Sequence, residues 1–189
     1  RFYDRKEVKD ALAYVRLLVN PRSDVDYQRI INVPARGIGK TSVEKIRALA
    51  VEHDLTLYEA TQKVVSGELQ GPSRARNKLK AFMDAFDGVA RTQDTQTPAE
   101  VVHELLEQMG YFAALQTEGT DEAQDRLANL DELISAIAEY CDLVDEPSLA
   151  GFLEEVTLAS DIDAMDEAPP QVSLITLHAA KGLEFRTVF

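Results

Sequence analysis

The stretch Ile31-Asn32-Val33-Pro34-Ala35-Arg36-Gly37-Ile38-Gly39-Lys40-Thr41-Ser42 decides between two fold classes. Its final residues resemble the end of a phosphate-binding loop, which would require a strand–loop–helix unit of an α/β fold. The G-x-x-x-x-G-K-[ST] pattern fails, because Pro34 occupies the position of its first glycine. No buried strand precedes the stretch, since residues 24–32 have the apolar spacing of a helix. We therefore interpret it as a glycine hairpin between two helices.

The glycine hairpin has the composition of an anion-binding turn. Gly37 and Gly39 allow positive φ and the close approach of another backbone. The helix that follows presents free N–H groups and its positive dipole end, which attract an anion. We predict that the hairpin contacts one DNA phosphate and reads no base. The residues assigned to this contact are Arg36, Gly37, Ile38, Gly39, Lys40 and Thr41. A tight helix–helix turn with no ligand explains the same sequence, and both interpretations stay open.

Helical periodicity continues on both sides of the hairpin, with apolar residues three and four positions apart. Asp24 is a candidate N-cap. Thr41 with Glu44, and Thr56 with Glu59, fit the capping-box pattern. The predicted helices cover residues 7–19, 24–32, 41–53, 56–66, 73–91, 98–109, 121–140 and 147–159.

The pattern changes near residue 160. Residues 160–170 read as an acidic connector that ends in Pro-Pro. Residues 171–177 have the β-branched content of a buried strand, and residues 186–189 begin another. We therefore predict a mainly α fold. An all-helical domain with helix-hairpin-helix-like elements covers residues 5–168, and the short β segment at the C-terminus belongs to a second domain.

Charge is distributed unevenly along the chain. The net charge is −13 over 189 residues, which taken whole disfavours nucleic acid as a partner. Residues 1–91, however, contain 17 Lys and Arg against 12 Asp and Glu, whereas residues 92–189 contain 3 against 21. The asymmetry indicates a basic contact face in the first half. A solvated acidic surface beside an ordinary mixed one would give the same counts.

Four cations cluster within residues 73–80 at the start of a predicted helix: Arg74, Arg76, Lys78 and Lys80. Positive charge at a helix start opposes the helix dipole, so these side chains are not placed for helix stability. They are candidates for a second phosphate-contacting surface, and a solvated helix face is the alternative.

Cysteine content and hydropathy restrict the cellular compartment in which the chain is expected. Cys141 is the sole cysteine, so no disulfide forms within the chain, and a reducing cytoplasm is compatible with this. No apolar run approaches the roughly 18 residues that a membrane span needs, so we predict no membrane partner. The chain begins at Arg1 and not at Met, so we expect it to be part of a longer protein.

Residues 176–185 are the most specific stretch of the chain: Thr-Leu-His-Ala-Ala-Lys-Gly-Leu-Glu-Phe. Its His178, Lys181 and Glu184 follow a predicted strand in a turn of small residues. Ligands of open α/β sheets bind at the carboxyl ends of strands. His178 taken alone also fits a capped or core histidine.

Four stretches resemble motifs of the UvrD/PcrA/Rep group of superfamily 1 DNA helicases. Residues 172–185 (Val-Ser-Leu-Ile-Thr-Leu-His-Ala-Ala-Lys-Gly-Leu-Glu-Phe) resemble motif V, and residues 1–10 (Arg-Phe-Tyr-Asp-Arg-Lys-Glu-Val-Lys-Asp) resemble the motif IV region. Residues 31–39 resemble the group's Gly-Ile-Gly element, and residues 126–133 (Arg-Leu-Ala-Asn-Leu-Asp-Glu-Leu) resemble a further signature. The four occur in the expected order and extend over nearly the whole chain.

The resemblance implies a division into subdomains. Residues 1–4 would end the RecA-like domain 2A, residues 5–168 would form the helical subdomain 2B, and residues 169–189 would return to 2A. In this group, 2B grips duplex DNA ahead of the fork and changes its orientation, which regulates unwinding. The resemblance assigns nucleotide contacts to Lys181, Gly182 and Glu184, and a contact with single-stranded DNA to His178.

The resemblance also implies that the parent protein is an ATP-dependent DNA helicase that uses ATP and Mg²⁺. Walker A, Walker B and motif VI sequences are absent from these residues, so we expect no catalytic residue, cofactor, metal site or ATP hydrolysis for the chain alone. The implied partners are duplex DNA through 2B, single-stranded DNA through 2A, and DNA-repair proteins. The implied location is the bacterial cytoplasm, at the nucleoid. The acidic half keeps open an alternative, a protein-interaction or autoregulatory module with negligible DNA binding.

Overall fold

The computed structural model describes residues 1–166, with side chains described for residues 1–158. Nine α-helices form this part of the chain, with 3₁₀ turns at Phe2–Asp4, Ser73–Ala75 and Gln93–Thr95. The helices are α1 (Lys6–Val19), α2 (Asp24–Ile30), α3 (Lys40–Glu52), α4 (Leu57–Ser66), α5 (Arg76–Thr92), α6 (Pro98–Gln108), α7 (Tyr111–Glu118), α8 (Asp121–Leu143) and α9 (Leu149–Asp166). No strand occurs in residues 1–166, so the prediction of a mainly α fold is confirmed. The strands predicted at 171–177 and 186–189 lie outside the described residues.

Helix α1 is the centre of the fold. Between Val8 and Leu18 every side chain except Lys9 and Arg16 is buried, as expected of a helix that is apolar on all sides. It packs against α2, α6, α8 and α9, so it joins the first and second halves of the described chain. One continuous hydrophobic core results.

A buried carboxylate connects three of these helices. Asp10 of α1 is 2% exposed. Its Oδ1 accepts hydrogen bonds from Arg29 Nε and lies 2.8 Å from Arg29 Nη2, and its Oδ2 accepts from Tyr111 Oη at 2.9 Å. Because a buried charge is tolerated only when it is paired and hydrogen-bonded, this cluster fixes α2 and α7 against α1.

Three local predictions at helix ends are wrong. Ser23, and not Asp24, caps α2, and the Asp24 carboxylate instead accepts from the backbone N–H of Leu57 at 2.8 Å. The capping box predicted at Thr41 is absent, because α3 begins one residue earlier and its N-cap is Gly39. Helix α9 continues to Asp166, so the first part of the predicted connector 160–170 is helical. The capping box at Thr56 is confirmed.

Helix α7 was not predicted from the sequence. Its residues Tyr111–Leu115 are consecutive apolar residues without the spacing of an amphipathic helix, and glycines in the left-handed conformation flank it on both sides. Only Tyr111 and Leu115 of this helix are buried. The short helix therefore depends on its contacts with α6 and α8 more than on its own sequence pattern.

Candidate nucleic-acid interface

The glycine hairpin lies between the end of α2 and the start of α3. The Asn32 side chain closes it, because its Oδ1 accepts from the backbone N–H groups of Arg36 at 2.9 Å and Ile38 at 3.0 Å. Ile38 is 1% exposed and anchors the turn in the core. The turn is therefore held from inside, while Gly37 and Gly39 stay exposed.

The two glycines of the hairpin have different backbone conformations. Gly37 has φ +68°, in the left-handed region that favours glycine. Gly39 has φ −76° and ψ 163°, an extended conformation open to any residue. A Cβ at Gly39 would meet nothing within 4 Å. The prediction that the hairpin uses positive φ therefore holds at Gly37, and the described fold gives no reason for a glycine at residue 39.

The start of α3 has the features of an anion site. No side chain caps the helix, and no acidic residue lies in its first turn. The Lys40 side chain is 91% exposed, and its ammonium lies 3.9 Å from Glu44. Thr41 is exposed as well. The uncapped N–H groups, the positive dipole end and the exposed ammonium all favour a negatively charged group at this point.

Lys78 brings the two predicted phosphate surfaces together. Its Nζ donates to the Gly37 carbonyl at 3.1 Å, although the two residues are 41 positions apart. Arg74 is exposed and has no hydrogen-bond or ion-pair partner within the described residues. Arg76 donates to the Val65 carbonyl at 3.2 Å and is also exposed. We call the set formed by Gly37–Thr41, Arg74, Arg76 and Lys78 the basic corner.

Lys80 is less available than the rest of its cluster, because its Nζ lies 2.5 Å from the Asp84 carboxylate one helical turn later. Sequence spacing favours such a pair. Lys80 is therefore not counted in the basic corner.

Arg36 has an environment that the sequence did not indicate. Its Nη1 donates to the carbonyls of Val33 at 2.9 Å and Ile30 at 3.0 Å, and its Nη2 donates to Tyr14 Oη at 2.6 Å and the Met109 carbonyl at 2.7 Å. Both terminal nitrogens are thus committed inside the protein. We exclude Arg36 from the basic corner for this reason.

Tyr14 lies beneath the Arg36 guanidinium and is fully buried. Its hydroxyl also donates to the Val33 carbonyl. Burial raises the pKa of Tyr14 to about 12, and the nearby Arg36 charge partly opposes this shift. The tyrosine is therefore a neutral hydroxyl that accepts from Arg36 at any ordinary pH.

Helices α6 to α9 have the opposite charge. Residues 92–158 contain 16 Asp and Glu and one cation, Arg126. Arg126 is engaged by Glu118 at 3.5 Å and Glu122 at 3.4 Å. A phosphate backbone would be repelled by this surface, so among residues 1–158 the charge distribution favours a DNA contact at the first half.

The remaining predicted site residues, His178, Lys181, Gly182 and Glu184, lie outside the described residues. Within the described part, no group of three or more His, Cys, Asp or Glu residues is placed to hold a metal ion. No helix in that part is long and apolar enough to cross a membrane.

Comparison with known proteins gives one consistent result. A family model described as the UvrD-like helicase C-terminal domain matches residues 1–189. The chain is 40% identical over 196 residues to the ATP-dependent DNA helicase PcrA of Bacillus subtilis, an alignment that covers 100% of this chain and 26% of that protein. It is 39% identical over 192 residues to PcrA of Staphylococcus epidermidis and 38% identical over 192 residues to PcrA of Staphylococcus aureus, with the same coverage. The chain spans about a quarter of the length of these curated relatives.

Proposed function

The chain belongs to the UvrD-like helicase C-terminal domain family, and on this premise we propose that it contains the accessory 2B subdomain of an ATP-dependent DNA helicase. Its role there is to contact the backbone of duplex DNA through the basic corner and to regulate unwinding. In this assignment residues 5–168 are 2B, and residues 1–4 and 169–189 belong to the RecA-like domain 2A.

The uncapped start of α3 is the observation that carries the proposal. Gly39 leaves the first N–H groups of the helix accessible, and Lys40 stands beside them with a side chain that is 91% exposed. A DNA phosphate satisfies both features, because it accepts from backbone N–H groups and pairs with an ammonium. Nothing in this geometry reads a base edge, so the contact positions DNA without sequence preference.

Lys78, Arg74 and Arg76 extend the proposed contact beyond a single phosphate. Lys78 is within hydrogen-bond distance of the hairpin, and the two arginines precede it by two and four residues in the sequence. Together with Lys40 they offer up to four cations. Counterion release then gives a slope of log affinity against log salt of about −2 to −4, which corresponds to weak and strongly salt-dependent binding.

The parent protein supplies the chemistry in this proposal. Its ATP and Mg²⁺ would be used by a nucleotide site to which Lys181, Gly182 and Glu184 contribute, while His178 would lie near single-stranded DNA. These residues lie outside the described part of the chain. The chain alone is proposed to be inactive as an ATPase and to act in a bacterial cytoplasm on nucleoid DNA, with repair proteins as further partners.

A salt titration tests the DNA contact. The chain is mixed with a fluorescent duplex that has a single-stranded tail, and affinity is measured by anisotropy between low and moderate salt. Lys40→Glu should weaken binding by about tenfold or more, because it replaces a charge-assisted contact with repulsion. It should also reduce the steepness of the salt slope by about 0.9, the value of one lost phosphate contact.

Arg91→Glu is the matched control for this substitution. Arg91 is exposed and undergoes the same charge reversal, but it lies about 20 Å along α5 from Lys78. Its substitution should leave affinity within about twofold, since exposed charges at that distance are screened. Equal losses in both variants would show a general charge effect and contradict a contact at the hairpin.

The acidic surface of α6 to α9 favours a second candidate function, a protein-interaction or autoregulatory module. Residues 92–158 contain 16 acidic side chains against a single arginine, which fits a basic partner and not DNA. The titration separates the two candidates. Absence of binding at every salt concentration would reject the DNA contact and leave the interaction module.

A further inference from the structure

We infer that Arg36 is a positioning residue, which holds the glycine hairpin against α1 and the end of α6 and does not itself touch DNA. The inference rests on the proposed function, because the hairpin has a position to keep only if it binds a ligand. It also assigns a role in DNA binding to Tyr14, a side chain that cannot reach DNA because it is fully buried.

The acceptors of Arg36 come from three separate parts of the chain. Nη1 donates to the carbonyls of Ile30 and Val33, at the end of α2 and in the turn after it. Nη2 donates to Tyr14 Oη on α1 at 2.6 Å and to the Met109 carbonyl, just after α6, at 2.7 Å. One side chain therefore ties the hairpin to elements 22 and 73 residues away in the sequence.

The chemistry of the acceptors explains why an arginine occupies this position. The Arg36 guanidinium contacts the C-terminal ends of both α2 and α6, and the carbonyls at a helix C-terminus carry partial negative charge. A guanidinium neutralises both ends at once, because its planar fork presents several donors in fixed directions. Its carbon lies 5.4 Å from the ring centroid of Phe82, so an aromatic face covers it as well. An ammonium has fewer donors and could not satisfy the same set.

The position of the hairpin depends on the contacts of the Arg36 guanidinium. The Arg36 backbone N–H and that of Ile38 both donate to Asn32 Oδ1, so the arginine backbone is part of the closed turn. The carbonyl of the next residue, Gly37, accepts from Lys78 at 3.1 Å. Displacement of the guanidinium would therefore shift the N–H groups of Arg36 and Ile38. It would also shift the Lys78 ammonium, which is bonded to the Gly37 carbonyl.

The test compares two buried tyrosines. Tyr14→Phe removes the hydroxyl that accepts from Arg36. Tyr27→Phe removes an equally buried hydroxyl, which is bonded at 2.6 Å to Thr61 Oγ1 and makes no hydrogen bond to the hairpin. We expect Tyr14→Phe to weaken duplex binding by roughly fivefold to tenfold, less than the full value of one charge-assisted hydrogen bond, because Arg36 keeps its bonds to the backbone carbonyls. Tyr27→Phe should leave affinity within about twofold, although it costs comparable stability.

Arg36→Lys adds a readout that separates positioning from direct contact. The variant keeps the positive charge but loses the forked donor, so affinity should fall about as far as in Tyr14→Phe. A second variant, Arg36→Gln, removes the charge. Its salt slope should stay unchanged, because no phosphate contact is lost, whereas removal of a direct contact would lower its steepness by about 0.9. Hydrogen exchange of the Arg36 and Ile38 amides, measured without DNA, should accelerate in Arg36→Lys and Tyr14→Phe but not in Tyr27→Phe.

Each outcome has a distinct meaning. A reduced salt slope in Arg36→Gln, with normal affinity in Tyr14→Phe, would make Arg36 a phosphate contact and overturn the inference while the proposed function stands. Unchanged amide exchange in both hairpin variants would overturn it without any use of DNA. Failure of the unmodified chain to bind duplex at any salt concentration would instead reject the proposed function, and with it the consequence for DNA binding.

Discussion

Replacing Gly39 with serine should raise the free energy of unfolding and lower the affinity for DNA. Gly39 is the N-cap of α3, with φ −76° and ψ 163°, so its backbone accepts an L residue without strain. A Cβ there would meet nothing within 4 Å, so serine also fits sterically. Serine at an N-cap accepts from the first N–H groups of the helix and should stabilise the fold by about a few tenths of a kcal/mol relative to glycine.

The same serine should weaken DNA binding. Its hydroxymethyl group occupies the space through which a phosphate would approach, and its oxygen takes an N–H group that the phosphate would use. Losing one charge-assisted hydrogen bond costs about 1.5–3 kcal/mol, so affinity should fall by roughly tenfold to a hundredfold. Gly37→Ala is the comparison, because φ +68° makes alanine cost about 1–2 kcal/mol of stability there. Its Cβ would also overlap the Lys78 ammonium.

Two measurements on each variant decide the matter. Urea unfolding followed by circular dichroism gives the free energy of unfolding, and anisotropy with a tailed duplex gives the affinity. Gly39→Ser with unaltered affinity would refute the reasoning, since residue 39 would then be glycine for no reason connected with a phosphate. A loss of stability in Gly39→Ser would also refute it, because affinity could then fall through a damaged helix start.

Two further predictions concern the stability of the fold. Asp10→Ala removes the carboxylate shared by Arg29 and Tyr111, and should lower the free energy of unfolding by about 3 kcal/mol, measured by urea denaturation. We choose the low end of the range for a broken buried pair because the Arg29 side chain is 37% exposed and can regain water. Raising the pH above 10 should destabilise the protein, because burial raises the pKa of Tyr14 from 10.0 to about 12. The buried neutral tyrosine contributes its full stabilisation below pH 10, the unfolded-state pKa. This stabilisation is lost as the pH rises through the folded-state pKa. The loss from Tyr14 should reach about 2 kcal/mol by pH 12, because a shift of about two pKa units limits it to about 2.7 kcal/mol. Equal free energies of unfolding at about pH 9 and about pH 11.5 would contradict the prediction.

The helical fold could be predicted because local signals fixed most of it. Apolar spacing gave the core helices, and the capping box at Thr56 and the proline at residue 98 gave two of the starts. Helix ends failed where the deciding contact was not local. The Asp24 carboxylate was expected to cap its own helix, but it bonds to Leu57 N–H, 33 residues away, and serine takes the cap.

The sequence predicted which residues form the candidate site, but not where their side chains point. The sequence places Arg36 and Lys40 on either side of two glycines, as two equivalent cations. The structure separates them, because Lys40 points into solvent and Arg36 turns inward to Tyr14 and a carbonyl 73 residues away. No local pattern reports an acceptor at that separation. The contact between Lys78 and Gly37, which merges the two predicted surfaces, was hidden for the same reason.

The opposed charges of the two halves are compatible with a phosphate site because electrostatic range depends on salt. At about 0.1 M salt the Debye length is about 10 Å, so the basic corner acts on a nearby phosphate while most of the acidic side chains of α6 to α9 are screened from it. At about 0.01 M it extends to about 30 Å, and the net charge of −13 then partly offsets the attraction of the basic corner. Added salt thus screens the distant repulsion of the acidic half more strongly than the close attraction of up to four cations. The acidic helices therefore restrict which face of the domain can approach a duplex, and the Arg36 contact with the Met109 carbonyl keeps the hairpin at a fixed place beside them.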